Sequence, residues 1–192
     1  LLEVQDPSTV AAVIVEPVTG SGGVYPPPQG YLQRLRDICT RHGVLLIFDE
    51  VITGFGRVGA SFAAQAFGVT PDLITTAKGL TNGAVPMGGV LVSGRVYEAF
   101  MAGPENAIEL MHGYTYSAHP LACAAGLATL RVHEELGINQ HVLAVSDLWQ
   151  AAALSLKGVG PVVDVRAIGL LCAVELQALP AAPGVRGAQV AQ

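Results

Sequence analysis

The sequence predicts an α/β fold in which helices cover a parallel sheet. Two observations indicate this class: short apolar runs alternate with helical patterns through the first half of the chain, and Gly/Pro-rich loops separate them. The composition fits a packed protein, because 51% of the 192 residues are hydrophobic and 13% are charged, which is too apolar for a disordered chain. No apolar run approaches the roughly 18 residues of a membrane span, so no membrane partner is predicted.

Four apolar runs in the first half are predicted strands. The first, AAVIV, is continuous, as expected of a strand buried on both faces of a sheet. A helix with one apolar face is predicted between the first two strands, and Gly43 should end it. The predicted strands cover residues 11–15, 44–48, 73–76 and 88–93, and the predicted helices cover residues 31–42, 60–67 and 96–101.

The second half of the chain has a different texture. Two long helices are predicted over residues 121–136 and 139–156, the first of them rich in alanine. Alternating apolar segments at 162–166 and 170–176 then indicate an antiparallel pair of strands. This strand pair indicates a second, smaller domain. The tail after residue 177 is rich in Ala, Pro, Gly and Gln and shows no clear pattern.

Charge and cysteine content narrow the class of protein. The net charge of −5 argues against a nucleic-acid partner. Cys39, Cys123 and Cys172 are odd in number, widely spaced and free of any C-x-x-C motif, which is typical of reduced thiols in a cytoplasmic protein. No signal peptide is visible, although the chain begins with Leu1 rather than methionine. The five histidines show no metal-ligand spacing, so no metal site is predicted.

An acidic pair, Asp49 and Glu50, follows the second apolar run, where functional groups collect in an open parallel sheet. The pair could cap a helix or form a structural ion pair. It could hold Mg²⁺ in a nucleotide-binding module, although the sequence contains no G-x-x-x-x-G-K-[ST] phosphate loop. Residues 54–59 match the dinucleotide pattern G-x-G-x-x-G. However, residues 51–53 separate this segment from the strand, and the next acid, Asp72, comes 13 residues later instead of about twenty.

Lys78 discriminates between these interpretations. It is the only basic residue from 58 to 94, and it follows the third predicted strand. A lysine beside a buried strand end is costly to desolvate unless it is used, and a desolvated amine is the nucleophile that a Schiff base needs. A snorkelling lysine at the sheet rim is the structural alternative. Together with an acid 29 residues earlier, this amine forms the pair that pyridoxal phosphate requires.

Two motifs carry a family resemblance. The segments IFDEVITGFGR and TTAKGLTNG resemble those of the class III aminotransferases, pyridoxal-phosphate enzymes of fold type I. AKGLTNGAVPMGG and HGYTYSAHPLACAAG look most like the ω-amino acid–pyruvate (β-alanine–pyruvate) branch. The resemblance implies that residues 1–130 are part of the large parallel-sheet domain that binds the cofactor. Residues 131–192 would then begin the small α+β C-terminal domain.

The resemblance also implies roles for individual residues around the cofactor. Lys78 matches the lysine that binds pyridoxal phosphate covalently and acts in catalysis. Asp49 matches the acid that keeps the pyridine nitrogen protonated, and Val51 matches the aliphatic side chain against the ring face. Thr115, and with less support Tyr114, match the segment that reaches the cofactor phosphate of the other subunit in a dimer.

Three further positions are interpreted by the same resemblance. Glu16, in EPVTG, matches an acid that pairs with a substrate-gating arginine in some members, or else it is a solvated acid at a strand end. Glu50 is expected to support Asp49 without contacting the cofactor. Arg57 is expected to brace its loop through an ion pair.

The resemblance implies transfer of an amino group from an ω-amino acid or amine, such as β-alanine, to pyruvate or another keto acid. An aminomutase or racemase of the same cofactor class stays open. Thr19-Gly20 stands where many relatives have Gln-Gly, which argues against the ornithine and GABA branches. Family members have over twice this length, so the chain is expected to be the central piece of a longer protein. The intact protein is expected to form a homodimer or a dimer of dimers.

Overall fold

The structure is a computed structural model that describes residues 2–104, 106, 110 and 112–179. Its helices and strands follow the predicted order, with bounds that shift by a few residues. The strands are β1 (Ala12–Val15), β2 (Leu45–Asp49), β3 (Leu73–Thr76), β4 (Gly89–Val92), β5 (Val162–Ile168) and β6 (Leu171–Leu176). The α-helices are α1 (Tyr31–His42), α2 (Ala63–Ala66), α3 (Gly94–Met101), α4 (Pro120–Glu135) and α5 (Ile138–Leu154).

The first four strands form one sheet in the order β1-β2-β3-β4. β1 pairs with β2, and β2 with β3, in parallel, as predicted. The expectation of a wholly parallel sheet is wrong at β4, which runs antiparallel to β3. The reason is the connection: residues 77–88 contain only a short 3₁₀ turn, Lys78–Thr81, whereas a parallel crossover needs a longer segment that passes over the sheet.

The core lies between this sheet and α1. Leu46 and Phe48 alternate along β2 and pack against Leu32 and Cys39 of α1, together with Ala64 and Val69. Gly43 ends α1 in the left-handed conformation at φ 67°, and its N–H donates to the carbonyls of Cys39 and Thr40, as the sequence predicts.

The opposite face of the sheet is open in the described residues. Ile14 of β1 is 60% exposed and Val90 of β4 is 58% exposed. The prediction that the first strand is buried on both faces is therefore wrong for this part of the chain, because α1 and α2 cover one face only.

The second half consists of α4, α5 and a β5–β6 hairpin. The two strands pair antiparallel, as predicted, with an irregularity between Val162 and Asp164. The predicted tail without pattern falls mainly on residues 180–192, which lie outside the described residues. Among the helices that the structure describes, none is both long and apolar enough to cross a membrane.

Candidate active site

Asp49 and Lys78 lie at the same edge of the sheet. Asp49 is the last residue of β2, and its register partner on β3 is Thr75. The N–H of Glu50 donates to the carbonyl of Thr75 at 2.9 Å, which continues the pairing past the end of β2. Lys78 follows two residues after β3 ends. The parallel pairing thus brings the predicted acid and the predicted amine to neighbouring strand ends.

The backbone at Lys78 is strained. Its φ is +45°, in the left-handed region that residues with a Cβ rarely adopt. The next residue, Gly79, packs against Phe55, because a Cβ on Gly79 would lie 2.8 Å from the Cβ of Phe55. Phe55 itself has φ +57° and contacts Phe62 edge to face, with ring centroids 5.6 Å apart. Strain of this kind persists where the surroundings determine the conformation, as these aromatic contacts do.

The side chain of Lys78 is exposed rather than buried. The expectation of a desolvated amine is therefore wrong for the described residues. Within the same residues, no carboxylate lies within ion-pair distance of the amine. The side chain lies at the mouth of a cavity.

Asp49 is half-buried and has one hydrogen bond among the described residues. Its Oδ1 accepts the N–H of Val51 at 3.1 Å, which draws Val51 back toward the strand end. The hydroxyls of Thr75 and Thr76, at the end of the neighbouring strand, are buried without a hydrogen-bond partner in the described structure. Successive strand side chains point to opposite faces, so Thr75, the register partner of Asp49, is the one of the two that shares its face. This face of the edge therefore combines a carboxylate with a hydroxyl that lacks a hydrogen-bond partner in the described residues.

Glu50 is fully buried and organises the loop that follows β2. Its Oε1 accepts the N–H of Ala64 at 2.8 Å, and its Oε2 accepts the N–H of Ala63 and the hydroxyl of Thr53, the latter at 3.0 Å. Burial raises the pKa of Glu50, and the three donors oppose that rise by stabilising the carboxylate. The side chain joins the start of the 51–62 loop to the residues that follow it, and its expected support of Asp49 stays a prediction.

A cavity of about 740 Å³ opens beside Lys78. Four parts of the chain form its walls: the 51–62 loop, the Lys78–Thr81 turn, α4 with the start of α5, and the tip of the β5–β6 hairpin. Val51, Ile52 and Phe55 come from the loop, and Leu170 and Leu171 come from the hairpin. The walls are mainly apolar, so the cavity suits a substrate whose body is hydrocarbon.

The remaining predicted residues are spread around this centre. Glu16 is half-buried and its Oε2 accepts the N–H of Gly20 at 2.8 Å, with no arginine within ion-pair distance in the described residues. Tyr114 is 71% exposed and lines a different cavity of about 550 Å³, and Thr115 beside it is exposed. The structure therefore groups Lys78 with Val51 at one cavity, and it does not bring Tyr114 or Thr115 to that cavity.

Arg57 differs from its expectation. It is exposed at the rim of the Lys78 cavity, and no carboxylate of the described residues lies within ion-pair distance, so the predicted ion pair is wrong for this part of the chain. Its carbonyl makes the contact instead, accepting the N–H of Leu170 at 2.9 Å.

Sequence reasoning missed the contribution of the hairpin. Leu170 lies 92 positions after Lys78, and nothing in its local pattern indicates that it lines the same cavity. The available signal was Gly169: its φ is +56°, and a Cβ there would lie within contact distance of the Arg57 carbonyl oxygen and only 2.8 Å from the Cα of Val58. In the described residues, no group of three or more His, Cys, Asp or Glu side chains could hold a metal ion.

Comparison with known proteins gives the family. The model of the class-III aminotransferases matches residues 1–184. The chain belongs to the class III aminotransferase family. It is 58% identical over 190 residues to an omega-aminotransferase of Caulobacter vibrioides, covering 99% of this chain and 43% of that protein. It is 52% identical over 178 residues to the omega-amino acid–pyruvate aminotransferase of Pseudomonas putida, covering 92% of this chain and 40% of that protein.

Solved structures of transaminases agree in fold. A thermostable (S)-enantioselective omega-transaminase from Thermomicrobium roseum has a TM-score of 0.86 and 39% identity, covering 94% of this chain and 41% of that chain. A PLP-bound amine transaminase from an uncultivated Pseudomonas species has a TM-score of 0.85 and 40% identity, covering 93% of this chain and 42% of that chain. The fold is thus the α/β fold of these transaminases. The chain spans about two fifths of the length of the curated relatives it matches.

Proposed function

We propose that the intact protein is a pyridoxal-phosphate-dependent aminotransferase that moves an amino group from an ω-amino acid or amine, such as β-alanine, to pyruvate or another keto acid. One observation carries the proposal: Asp49 and Lys78 lie at the ends of neighbouring strands, and Lys78 lines an apolar cavity together with Val51. An amine and an acid at this spacing are the two groups on which pyridoxal-phosphate chemistry depends.

The residues at this edge fit the cofactor. Lys78 would hold it through its amine, Asp49 would form an ion pair with its ring nitrogen, and Val51 would pack on the ring face. The hydroxyl of Thr75, which lacks a hydrogen-bond partner in the described residues and is in register with Asp49, supports a polar ligand at this edge. When bound, pyridoxal phosphate supplies an electron-withdrawing ring that makes a proton on the substrate carbon removable.

The chain's own groups then divide the work. Lys78 Nζ would take a proton from the substrate carbon as general base and, as general acid, give it to a second carbon, because its return to the first carbon would only racemise the substrate. The Asp49 carboxyl group is oriented before reaction because the Val51 N–H donates to its Oδ1. The amino donor leaves as an aldehyde or ketone, and pyruvate leaves as alanine. Because Phe55 fixes Gly79, the amine of Lys78 starts from one backbone conformation.

Support for the substrate class comes from relatives and from the cavity. Two relatives carry the names omega-amino acid–pyruvate and beta-alanine–pyruvate aminotransferase, each at 52% identity. The apolar walls formed by Ile52, Leu170 and Leu171 suit the hydrocarbon part of such an amine.

We also propose the assembly. The intact enzyme is a cytoplasmic homodimer or dimer of dimers in which Thr115, with Tyr114 beside it, reaches the cofactor phosphate of the partner subunit. The exposure of both side chains away from the Lys78 cavity supports this arrangement. Glu16 would pair with an arginine from outside this segment. Residues 1–130 would belong to the large domain and residues 131–192 to the small one.

The test uses the full-length protein and a matched pair of lysines. Borohydride reduction followed by peptide mapping should place the cofactor on Lys78, and Lys78→Ala should abolish both the labelling and alanine formation from pyruvate. Lys157→Ala is the control, since Lys157 pairs with Asp164 at 2.9 Å and lies outside the cavity. Labelling of Lys157 would contradict the assignment, and formation of a racemised or rearranged amino acid without alanine would favour the racemase or aminomutase alternative.

A further inference from the structure

The 20–25 turn, which follows β1, is strained. Val24 adopts φ +49°, although a β-branched residue is strongly disfavoured in the left-handed region. The N–H groups of Gly23 and Val24 both donate to the carbonyl of Gly20 at 3.0 Å, and Thr19 pairs with Tyr25 as an isolated bridge. A strained turn of this kind keeps its shape only where neighbouring groups hold it.

Arg166 of β5 is the group that holds this turn from outside. Its Nε donates to the carbonyl of Gly23 at 2.8 Å, one residue before the strained Val24. Its guanidinium carbon lies 4.5 Å from the centroid of the Tyr25 ring, in cation–π geometry. The side chain is 18% exposed, so both contacts are partly shielded from water.

Two carboxylates orient the same guanidinium. Its Nη1 donates to Asp164 at 2.8 Å and to Glu175 at 2.7 Å. Both acids lie on the β5–β6 hairpin, so Arg166 is fixed on its own hairpin while it contacts the turn 143 positions earlier. The planar guanidinium can make these bonds and the ring contact together, which a lysine ammonium cannot.

Both ends of this contact reach the cavity beside Lys78. On one side, Gly20 begins the turn and packs so closely on Ile52 that a Cβ there would lie 2.5 Å from its Cδ1. On the other side, the hairpin that carries Arg166 supplies Leu170 and Leu171 to the wall of the same cavity. Arg166 thus connects two walls of one cavity without lining it.

We propose that Arg166 is a positioning residue that sets the separation of the Ile52 wall and the Leu170–Leu171 wall, and so determines how well the hydrocarbon part of the substrate is bound. The proposal rests on the proposed function, because it takes the Lys78 cavity as the substrate site. Asp49 lies on β2 and Lys78 lies after β3, and Arg166 contacts neither strand. Its removal should therefore weaken substrate binding more than chemistry.

The experiment compares variants of the full-length, cofactor-loaded enzyme. In Arg166→Met, hydrogen exchange at the amides of residues 23–25 should accelerate at least tenfold, while exchange in β2 stays unchanged. KM for the amine should rise about tenfold, equivalent to ~1.4 kcal/mol, with kcat within about twofold of wild type. Lys157→Met is the matched control, because it removes another cation from Asp164 without touching the turn.

Two further variants guard against a folding defect. Tyr25→Leu removes the ring beneath the guanidinium and should change exchange and KM in the same direction, whereas Tyr25→Phe keeps the ring and should change neither. Arg166→Lys should stay closer to Arg166→Met than to wild type. If Arg166→Met and Tyr25→Leu both match Lys157→Met in exchange and KM, the positioning role is wrong. A wild-type enzyme without transaminase activity would refute the proposed function alone, and the exchange data would still decide whether Arg166 holds the turn.

Discussion

Glu50 offers the sharpest test of how the site is supported. It is 0% exposed and satisfies three donors, the N–H groups of Ala63 and Ala64 and the hydroxyl of Thr53. In Glu50→Gln, one amide oxygen can still accept, but the NH₂ group must face at least one of the buried N–H donors. A buried donor left without an acceptor costs about 1–3 kcal/mol, so we expect a local loss of ~2 kcal/mol.

That loss translates into a measurable exchange rate. Since 1.4 kcal/mol corresponds to a factor of ten, ~2 kcal/mol should accelerate hydrogen exchange at Ala63 and Ala64 by roughly 30-fold in the full-length protein. Glu98→Gln is the control, because Glu98 is exposed on α3. Protection of the two amides within about threefold of wild type would refute the view that the Glu50 carboxylate holds the 51–62 loop closed.

Two further predictions concern carboxylates with other tasks. Burial opposes ionisation of Asp72, but the Leu46 N–H, Arg36 and Arg95 outweigh it and lower its pKa below the usual 3.8. Asp72→Asn should therefore lower the resistance of the full-length protein to denaturant above pH 4. At pH values below the pKa of Asp72 in the folded protein the wild-type carboxyl is protonated, so the difference between the two proteins should disappear. A difference that does not change with pH would contradict this prediction. Asp49→Asn should keep borohydride-reducible attachment of the cofactor but lower kcat by about 10² or more, and near-wild-type turnover would reduce Asp49 to a strand-end cap.

The parts of this molecule that the sequence predicts are those with a local signal. Continuous apolar runs locate β1, β2 and β3, and Gly43 marks the end of α1 because it alone permits the terminal left-handed residue without strain. The carboxyl ends of parallel strands lie at the same edge of a sheet. The proximity of Asp49 and Lys78 therefore follows once β2 and β3 are recognised as neighbouring parallel strands.

The parts that the sequence does not predict depend on distant contacts. The direction of β4 is decided by what lies between it and β3, and a 3₁₀ turn has no stronger signature than a loop. The exposure of Lys78 depends on which distant segments pack against this edge of the sheet, and the residues next to Lys78 in the sequence do not indicate it. The contacts of Arg166 with Gly23 and of Gly169 with Arg57 join residues more than a hundred positions apart, and periodicity carries no information at that range.

The contact between the hairpin tip and the 51–62 loop is made by main chain on both sides. The Leu170 N–H meets the Arg57 carbonyl at 2.9 Å, and Gly169 leaves no space for a side chain between them. The side chains of Arg57 and Leu171 can therefore be exchanged without altering this backbone spacing. For enzyme engineering, side chains that line the cavity can be varied while this backbone contact is kept, and Gly169 itself is a position to exclude from any library.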